Sequence, residues 1–332
     1  MNIRNQKELC RFAEERLKNA PASRKIALIY AAVVIGLSAL TALASYALGL
    51  AIDRSGGLSG MGTRTILSAV QNMLPLVQTV IVMCIDLGFT AAILRIARGQ
   101  YVSPQTLRLG FDRFGVLLRY SILETVLFFG VSISSIYLGV SIFLLTPMAS
   151  EVTELLVPLL SDTTILSSGV TIPDGIYESV MRSMLPAYLI CGGLFCLVAI
   201  PLFYRLRMSR YVLIEKPGTG ALFAMRSSRK MMRKNCLQLF KLDLRLWWFY
   251  LASFGASLLG YGDMLLPMIG VNLPFHEDVN YFLFYGLYWA AQFAIFSFLL
   301  PKAAVPYALA YDALCPKEDP PAGVVLGNIF QM

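Results

Sequence analysis

Residues 26–52 read IALIYAAVVIGLSALTALASYALGLAI, an apolar run without one charged side chain. A helix needs about 20 such residues to cross the hydrocarbon core of a bilayer. Lipid offers no partner for backbone N–H and C=O groups, so a spanning segment satisfies them internally, as a helix does. The rest of the 332-residue chain agrees: 57% of positions are apolar and 14% charged, with a mean hydropathy of +0.65. Soluble domains carry about 25% charged residues. The fold class is therefore all-α, a polytopic transmembrane helical bundle with amphipathic cytoplasmic interfacial helices.

Working outward from that run, five further stretches are apolar enough to span: 73–94, 116–145, 185–203, 244–259 and 281–300. The fifth span, 244–259, is the shortest and starts among Lys241, Asp243 and Arg245. Six spans divide the chain into a cytoplasmic amphipathic segment (1–25), one membrane domain (26–312) and a cytoplasmic tail (313–332). The first twenty residues are charged and lack a cleavage signal, so the first apolar run is read as an uncleaved anchor.

Orientation follows from Lys and Arg, which collect on the cytoplasmic side. With six spans, 25 of the 28 Lys and Arg fall on one side, leaving Arg54, Arg64 and Arg182 on the other. Both termini are thereby placed in the cytoplasm of a multi-pass membrane protein. The opposite side is acidic, with Glu151, Glu154, Asp162, Asp174 and Glu178 in one long loop and His276 in another. The stretch EVTELLVPLL (151–160) has the spacing of a short interfacial helix.

The strongest local pattern lies between the fourth and fifth spans. Pro217 and Gly218 end one helix, Thr219 is a fair N-cap, and a helix is predicted to Asn235. Arg226, Arg229, Lys230, Arg233 and Lys234 recur at i, i+3, i+4, i+7 and i+8, making one cationic stripe. Ala221, Leu222, Met225, Ser228, Met231 and Met232 fill the remaining arc. Such a helix suits anionic lipid of the inner leaflet, where each cation contributes about 1 kcal/mol. A cytoplasmic or membrane protein is the competing partner, and nucleic acid is not expected. Near the N-terminus, Leu9, Phe12, Ala13 and Leu17 share a face opposite Arg11, Glu15 and Lys18, predicting a second interfacial helix. Leu94-Arg95-x-x-Arg98 and Leu206-Arg207-x-x-Arg210 open two connections alike, each followed by a proline, which suggests repeated helical hairpins.

Several of these segments carry a resemblance. They are the stretch from Lys7-Glu8-Leu9 to Leu17, Arg98-Gly99, Gly110-Phe111, Arg205 to Ser209 with Tyr211, and Ser228-Arg229-x-Met231-Met232-Arg233 leading to Leu239-Phe240. Pro306-Tyr307 and Tyr311-Asp312 complete the set. In them the chain resembles a family of uncharacterised integral membrane proteins of Gram-positive bacteria, known as a domain of unknown function. The resemblance implies a helical bundle with amphipathic cytoplasmic helices and brings no catalytic residue.

Reaction motifs are missing from the sequence. A single histidine excludes His-pair metal motifs, and no P-loop, GxSxG or HExxH occurs. None of the six cysteines forms a CxxC pair. No cofactor or metal is expected, and the chain is read as non-enzymatic, assisting envelope or transport processes. Asp86 and Glu124 stand inside predicted spans, with Gln78 and Gln292 as polar neighbours. Counted from Arg95, Asp86 lies about 13 Å from the inner boundary at 1.5 Å per residue. Acids at such depth usually face a bundle interior and often serve ions or protons, so a secondary transporter or channel is the alternative. A membrane-embedded enzyme acting on lipids is a third reading.

Overall fold

The computed structural model describes residues 5–54, 61–147, 149–150, 174–268 and 277–315. His276, the stretch 151–160 and the tail from residue 316 lie outside them. The described residues form helices α1 (Gln6–Lys18), α2 (Ala22–Arg54), α3 (Met61–Ala97), α4 (Leu109–Asp112), α5 (Phe114–Leu144) and α6 (Asp174–Leu206). These are followed by α7 (Ser209–Glu215), α8 (Ala221–Met232), α9 (Cys236–Arg245), α10 (Trp247–Gly260), α11 (Gly262–Met268), α12 (Glu277–Ala294) and α13 (Leu300–Leu314). A 3₁₀ segment, Pro104–Arg108, precedes α4, and a π-helical segment, Ile295–Leu299, joins α12 to α13. The protein is a multi-span helical membrane protein. Among the described residues, five helical stretches are long and apolar enough to cross a bilayer: 22–52, 62–97, 114–144, 184–215 and 279–314.

The chain resolves into two compact units, residues 1–118 with 208–332, and residues 119–207. In the second unit, 119–144 and 174–206 come close enough that a Cβ on Gly139 would meet Cys191 Sγ at 2.4 Å. Phe143, Ala149 and Ala187 pack together there, with Met184 against them. Most other apolar side chains of 119–144 face outward, Phe129 and Tyr137 among them, as suits a lipid-facing helix.

In the first unit, α2, α3 and the continuous stretch α12–α13 are longer than a bilayer requires. At 1.5 Å per residue, the 37 residues of α3 extend roughly 55 Å, against about 30 Å of hydrocarbon. Burial divides each of them in two. Along α3, Ile66, Val70, Met73, Leu76 and Val77 are exposed, whereas Cys84, Ile85, Leu87, Phe89, Ala91–Leu94, Ile96 and Ala97 are buried. Ile26, Ala27, Tyr30, Ala31 and Val34 mark the buried end of α2, and Ala303 to Tyr311 that of α13. The 3₁₀ segment with α4, and α1, α7 and α13, cover the buried part of α3.

Two glycines allow the closest of these approaches. A Cβ on Gly88 would stand 2.2 Å from the Leu107 carbonyl oxygen, and one on Gly110 would stand 1.9 Å from that of Cys84. The segment 104–112 therefore folds back along α3, backbone against backbone.

The structure corrects three expectations about elements. The predicted fifth span, 244–259, is broken near its start and is too short to be one of the five long helices. Leu246 (φ −92°, ψ 18°) separates α9 from the 14-residue α10, and Tyr261 (φ −107°, ψ 13°), beyond the predicted end, separates α10 from the seven-residue α11. The break accompanies close packing on α12, where a Cβ on Gly262 would meet the Phe284 ring at 2.4 Å. Even so, Tyr250 bonds Tyr307 at one end and Gly262 touches Phe284 at the other. These partners are 23 residues apart on α12–α13, or roughly 35 Å. The broken segment thus runs the depth of its neighbour. Second, α1 buries Leu9 and Ala13 against α13 and α3, so protein covers the apolar face assigned to lipid. This packing also sets residues 6–18 and 300–314 at the same end of the unit. Third, Gly220 occupies the N-cap of α8, and the Thr219 hydroxyl donates to the Lys216 carbonyl (2.7 Å) instead.

Gly110→Ala should lower the melting temperature of the detergent-purified protein, because two backbones cannot yield as a side chain can. Overpacking ordinarily costs about 1–3 kcal/mol, and this site should reach or exceed that range. Gly36, with open space around its Cβ position, should tolerate alanine or gain about 0.5–1 kcal/mol. Equal melting of the two variants would mean that segment 104–112 does not pack as described.

Candidate functional site

At the buried end of the first unit, α3 terminates in a Schellman motif. Gln100 N–H donates to the Arg95 carbonyl and Gly99 N–H to that of Ile96, both at 2.9 Å. Gly99 takes φ 72°, the left-handed conformation that glycine adopts without a Cβ penalty. The turn aims Arg98 at two carboxylates. Its Nε donates to Asp312 Oδ1 and Oδ2 (3.0 and 3.2 Å), and its Nη2 to Asp312 Oδ1 (2.6 Å) and Glu215 Oε1 (2.7 Å). Asp312, the nearest partner, pushes the Arg98 guanidinium still higher than its ordinary value. Tyr311 donates to Glu215 Oε2 at 2.5 Å and stacks on Tyr211. Cys315 Sγ stands 3.5 Å from the same oxygen, and burial with the Glu215 charge pushes this thiol up. Arg113 caps the end of α7 by donating to the Leu213 and Ile214 carbonyls (2.8 and 3.0 Å).

This clasp brings together three of the segments that carry the resemblance: Arg98-Gly99, Tyr211 and Tyr311-Asp312. Sequence reasoning passes over Glu215. A signal was there, because a carboxylate in the last turn of a helix opposes the macrodipole unless a cation holds it. A second junction joins Asp243, which accepts from Tyr307 and Tyr250, while the two tyrosine hydroxyls lie 3.0 Å apart.

Three of the four predicted polar residues of the spans, Asp86, Gln78 and Glu124, find local partners. Tyr30 donates to Asp86 Oδ1 at 2.6 Å, stacks on Phe89, and lies 5.9 Å from Phe296 of the π segment. Asp86 stands where the protein-covered part of α3 begins. Gln78 Nε2 donates to Ser38 Oγ (2.8 Å), and Gln292 is buried on α12. In the other unit, Glu124 accepts from Tyr120 one turn earlier at 3.2 Å.

Arg226, Arg229, Lys230, Arg233 and Lys234 are all exposed. The helix carrying them is shorter than predicted. It stops at Met232, where Asn235 N–H donates to the Met232 carbonyl and Asn235 Nδ2 to that of Met231, turning the chain. Arg233 and Lys234 therefore extend the stripe from a turn. Leu222 joins the exposed cationic arc, at 56% exposure, rather than the buried one. The six cysteines are free thiols. Among the described residues, no group of three or more His, Cys, Asp or Glu side chains is placed to hold a metal ion.

Arg98→Lys keeps the charge and loses the fork, since an ammonium cannot bridge both carboxylates as a guanidinium does. With the three groups about one-third exposed, the expected loss is about 1–2 kcal/mol, read as a lower melting temperature in detergent. Asp312→Asn should shift it in the same direction. Unchanged melting in both variants would show that the clasp adds no stability.

No curated protein and no solved structure matches the chain. One family does, and it covers residues 1–307, including Arg98, Glu215 and all five cations of the stripe. The chain belongs to DUF975, a family of proteins of unknown function.

Proposed function

We propose that this membrane protein of the DUF975 family is a non-enzymatic component that rests on anionic lipid of the cytoplasmic leaflet. In this reading it assists envelope or transport processes in a bacterial plasma membrane, with both ends of the chain in the cytoplasm. The observation that carries it is the outer face of α8 and α9. Five exposed cations alternate there with large exposed apolar side chains: Leu222 and Phe223 on α8, and Leu237, Phe240 and Leu244 on α9. The opposite faces bury Ala224, Met225, Met232, Leu239 and Leu242 in the protein. Water disfavours a surface in which leucines and phenylalanines are interleaved with cations, whereas a lipid interface accepts both parts. Five cations near anionic headgroups would contribute about 3–5 kcal/mol after mutual screening.

The burial pattern supplies a reference plane. It passes through Tyr30, Asp86, the π segment and Trp247, all at the boundary of the protein-covered layer. Beyond it, α2, α3, α10–α11 and α12 extend by about 18 to 26 residues, roughly 27–39 Å. That length matches hydrocarbon with part of the interfacial zone. Asp86 then sits at headgroup level, and its tyrosine partner suffices for its retention. Lys and Arg on the protein-covered side agree with a cytoplasmic placement.

One observation keeps a transport reading in view. The π segment lies beside the Tyr30–Asp86 pair and buries the Ser297 hydroxyl with no partner among the described residues. Such segments recur at functional positions. Proteoliposome flux that is the same in wild type and Asp86→Asn would remove it.

The main reading is tested by native mass spectrometry of the protein extracted with mixed phosphatidylglycerol and phosphatidylcholine. Reversing Arg226, Arg229 and Arg233 to Glu together should cut retained phosphatidylglycerol at least several-fold, with melting unchanged. Retention equal to wild type would overturn the assignment of this face.

A further inference from the structure

Away from the α8 face, a cleft of about 440 Å³ opens between α1, the α9–α10 junction and the start of α13. Its walls are Cys10 and Glu14 from α1, Arg245, Leu246 and Trp248 from the junction, and Leu299 and Lys302 from the last helical stretch. Two cations from separate elements thus face one space, against a single carboxylate. Arg245 lies within hydrogen-bonding reach of the Cys10 thiol, which burial pushes up in pKa and the guanidinium pulls back.

The position of the cleft matters as much as its charge. Phe298, next to Leu299, is 59% exposed, and Pro301, next to Lys302, is buried. The lining therefore lies where the last helix passes from an open apolar surface into the protein-covered layer. Trp247 and Trp248 mark the same level on α10, as tryptophans do at a headgroup boundary. A group entering here meets two cations together with the apolar surface of Leu246, Leu299 and an indole. Free phosphate would use only the first of these. A phospholipid would use both, with its phosphate on the cations and the start of its acyl chains along the apolar wall.

We infer that this cleft is a discrete binding site for the phosphate of an anionic phospholipid, held by Arg245 and Lys302. The inference rests on the reading that this end of the unit meets anionic lipid, but it does not depend on the α8 cations. Glu14 opposes the bound phosphate and limits its affinity.

Cys10 reports occupancy, because a headgroup on Arg245 shields the thiol. The experiment measures maleimide alkylation of Cys10, resolved by peptide mass spectrometry, on the full chain in nanodiscs of phosphatidylglycerol or of phosphatidylcholine. Alkylation should be about fivefold slower in phosphatidylglycerol, as expected from one net cation acting on an anionic headgroup. The double variant Arg245→Gln, Lys302→Gln should abolish the difference, and Glu14→Gln should enlarge it. The Arg226→Glu, Arg229→Glu, Arg233→Glu variant should keep it, which separates this site from the α8 face. Equal alkylation in the two lipids would overturn the inference. So would equal protection by inorganic phosphate added to phosphatidylcholine discs, since the site would then not select lipid. A Glu14→Gln variant with unchanged protection would remove the assignment of the phosphate to this cleft.

Discussion

Helix length against bilayer thickness is the constraint on which the first unit depends. Once α3 and α12–α13 exceed the hydrocarbon core by a dozen residues or more, their surplus ends need a different partner. Those ends are apolar, with Ala91, Ala92, Ile93 and Leu94 in succession on α3, so water is a poor one. The structure supplies protein instead. Segment 104–112 doubles back onto α3, α1 lies across α3 and α13, and α7 lies on α3. Backbone contact at Gly88 and Gly110 gives the tightest part of this cover. The result is a bundle whose outer part has apolar side chains facing out and whose other end is packed like a soluble core.

That division explains what the sequence discloses and what it hides. Apolar runs announce spanning helices, and among the described residues each helical stretch long and apolar enough to cross coincides with one. They do not announce where lipid stops, because leucine and isoleucine look alike whether acyl chains or side chains surround them. Counting from Arg95 as the boundary sets Asp86 about 13 Å into the membrane. Side-chain burial adds that exposed residues of α3 give way to protein-covered ones at Cys84 and Ile85, just before Asp86. The amphipathic face of α1 was legible for the same reason that its partner was not: Leu9 and Ala13 say only that something apolar covers them.

The interrupted segment 236–268 shows a different limit. Its composition is apolar enough for a span, yet Leu246 and Tyr261 take conformations that end helices. Glycines at 260 and 262 could be read as weak points worth about 1 kcal/mol each relative to alanine. What they permit, the approach to Tyr288 and Phe284, is a tertiary fact about α12 and lies beyond any local pattern. The cationic stripe, by contrast, was readable residue by residue, because exposure of charge follows from helical period alone. Its ends moved, where Gly220 replaces Thr219 at the cap and the turn at Asn235 releases Arg233 and Lys234, and Leu222 lies on the exposed arc.

Arg98 connects these levels. It joins residues 98, 215 and 312, which lie at or near the ends of α3, α7 and α13. Glu215 is the last residue of α7, and α8 packs on α7. Glu215 thus ties Arg98 to the helix on which α8 packs, through an ion pair that includes no cation of the stripe. A charge that would be unfavourable at the end of an isolated helix becomes the point at which that helix is fixed. In this way an arginine at the end of a long apolar helix is fastened to a short helix more than a hundred residues later in the chain.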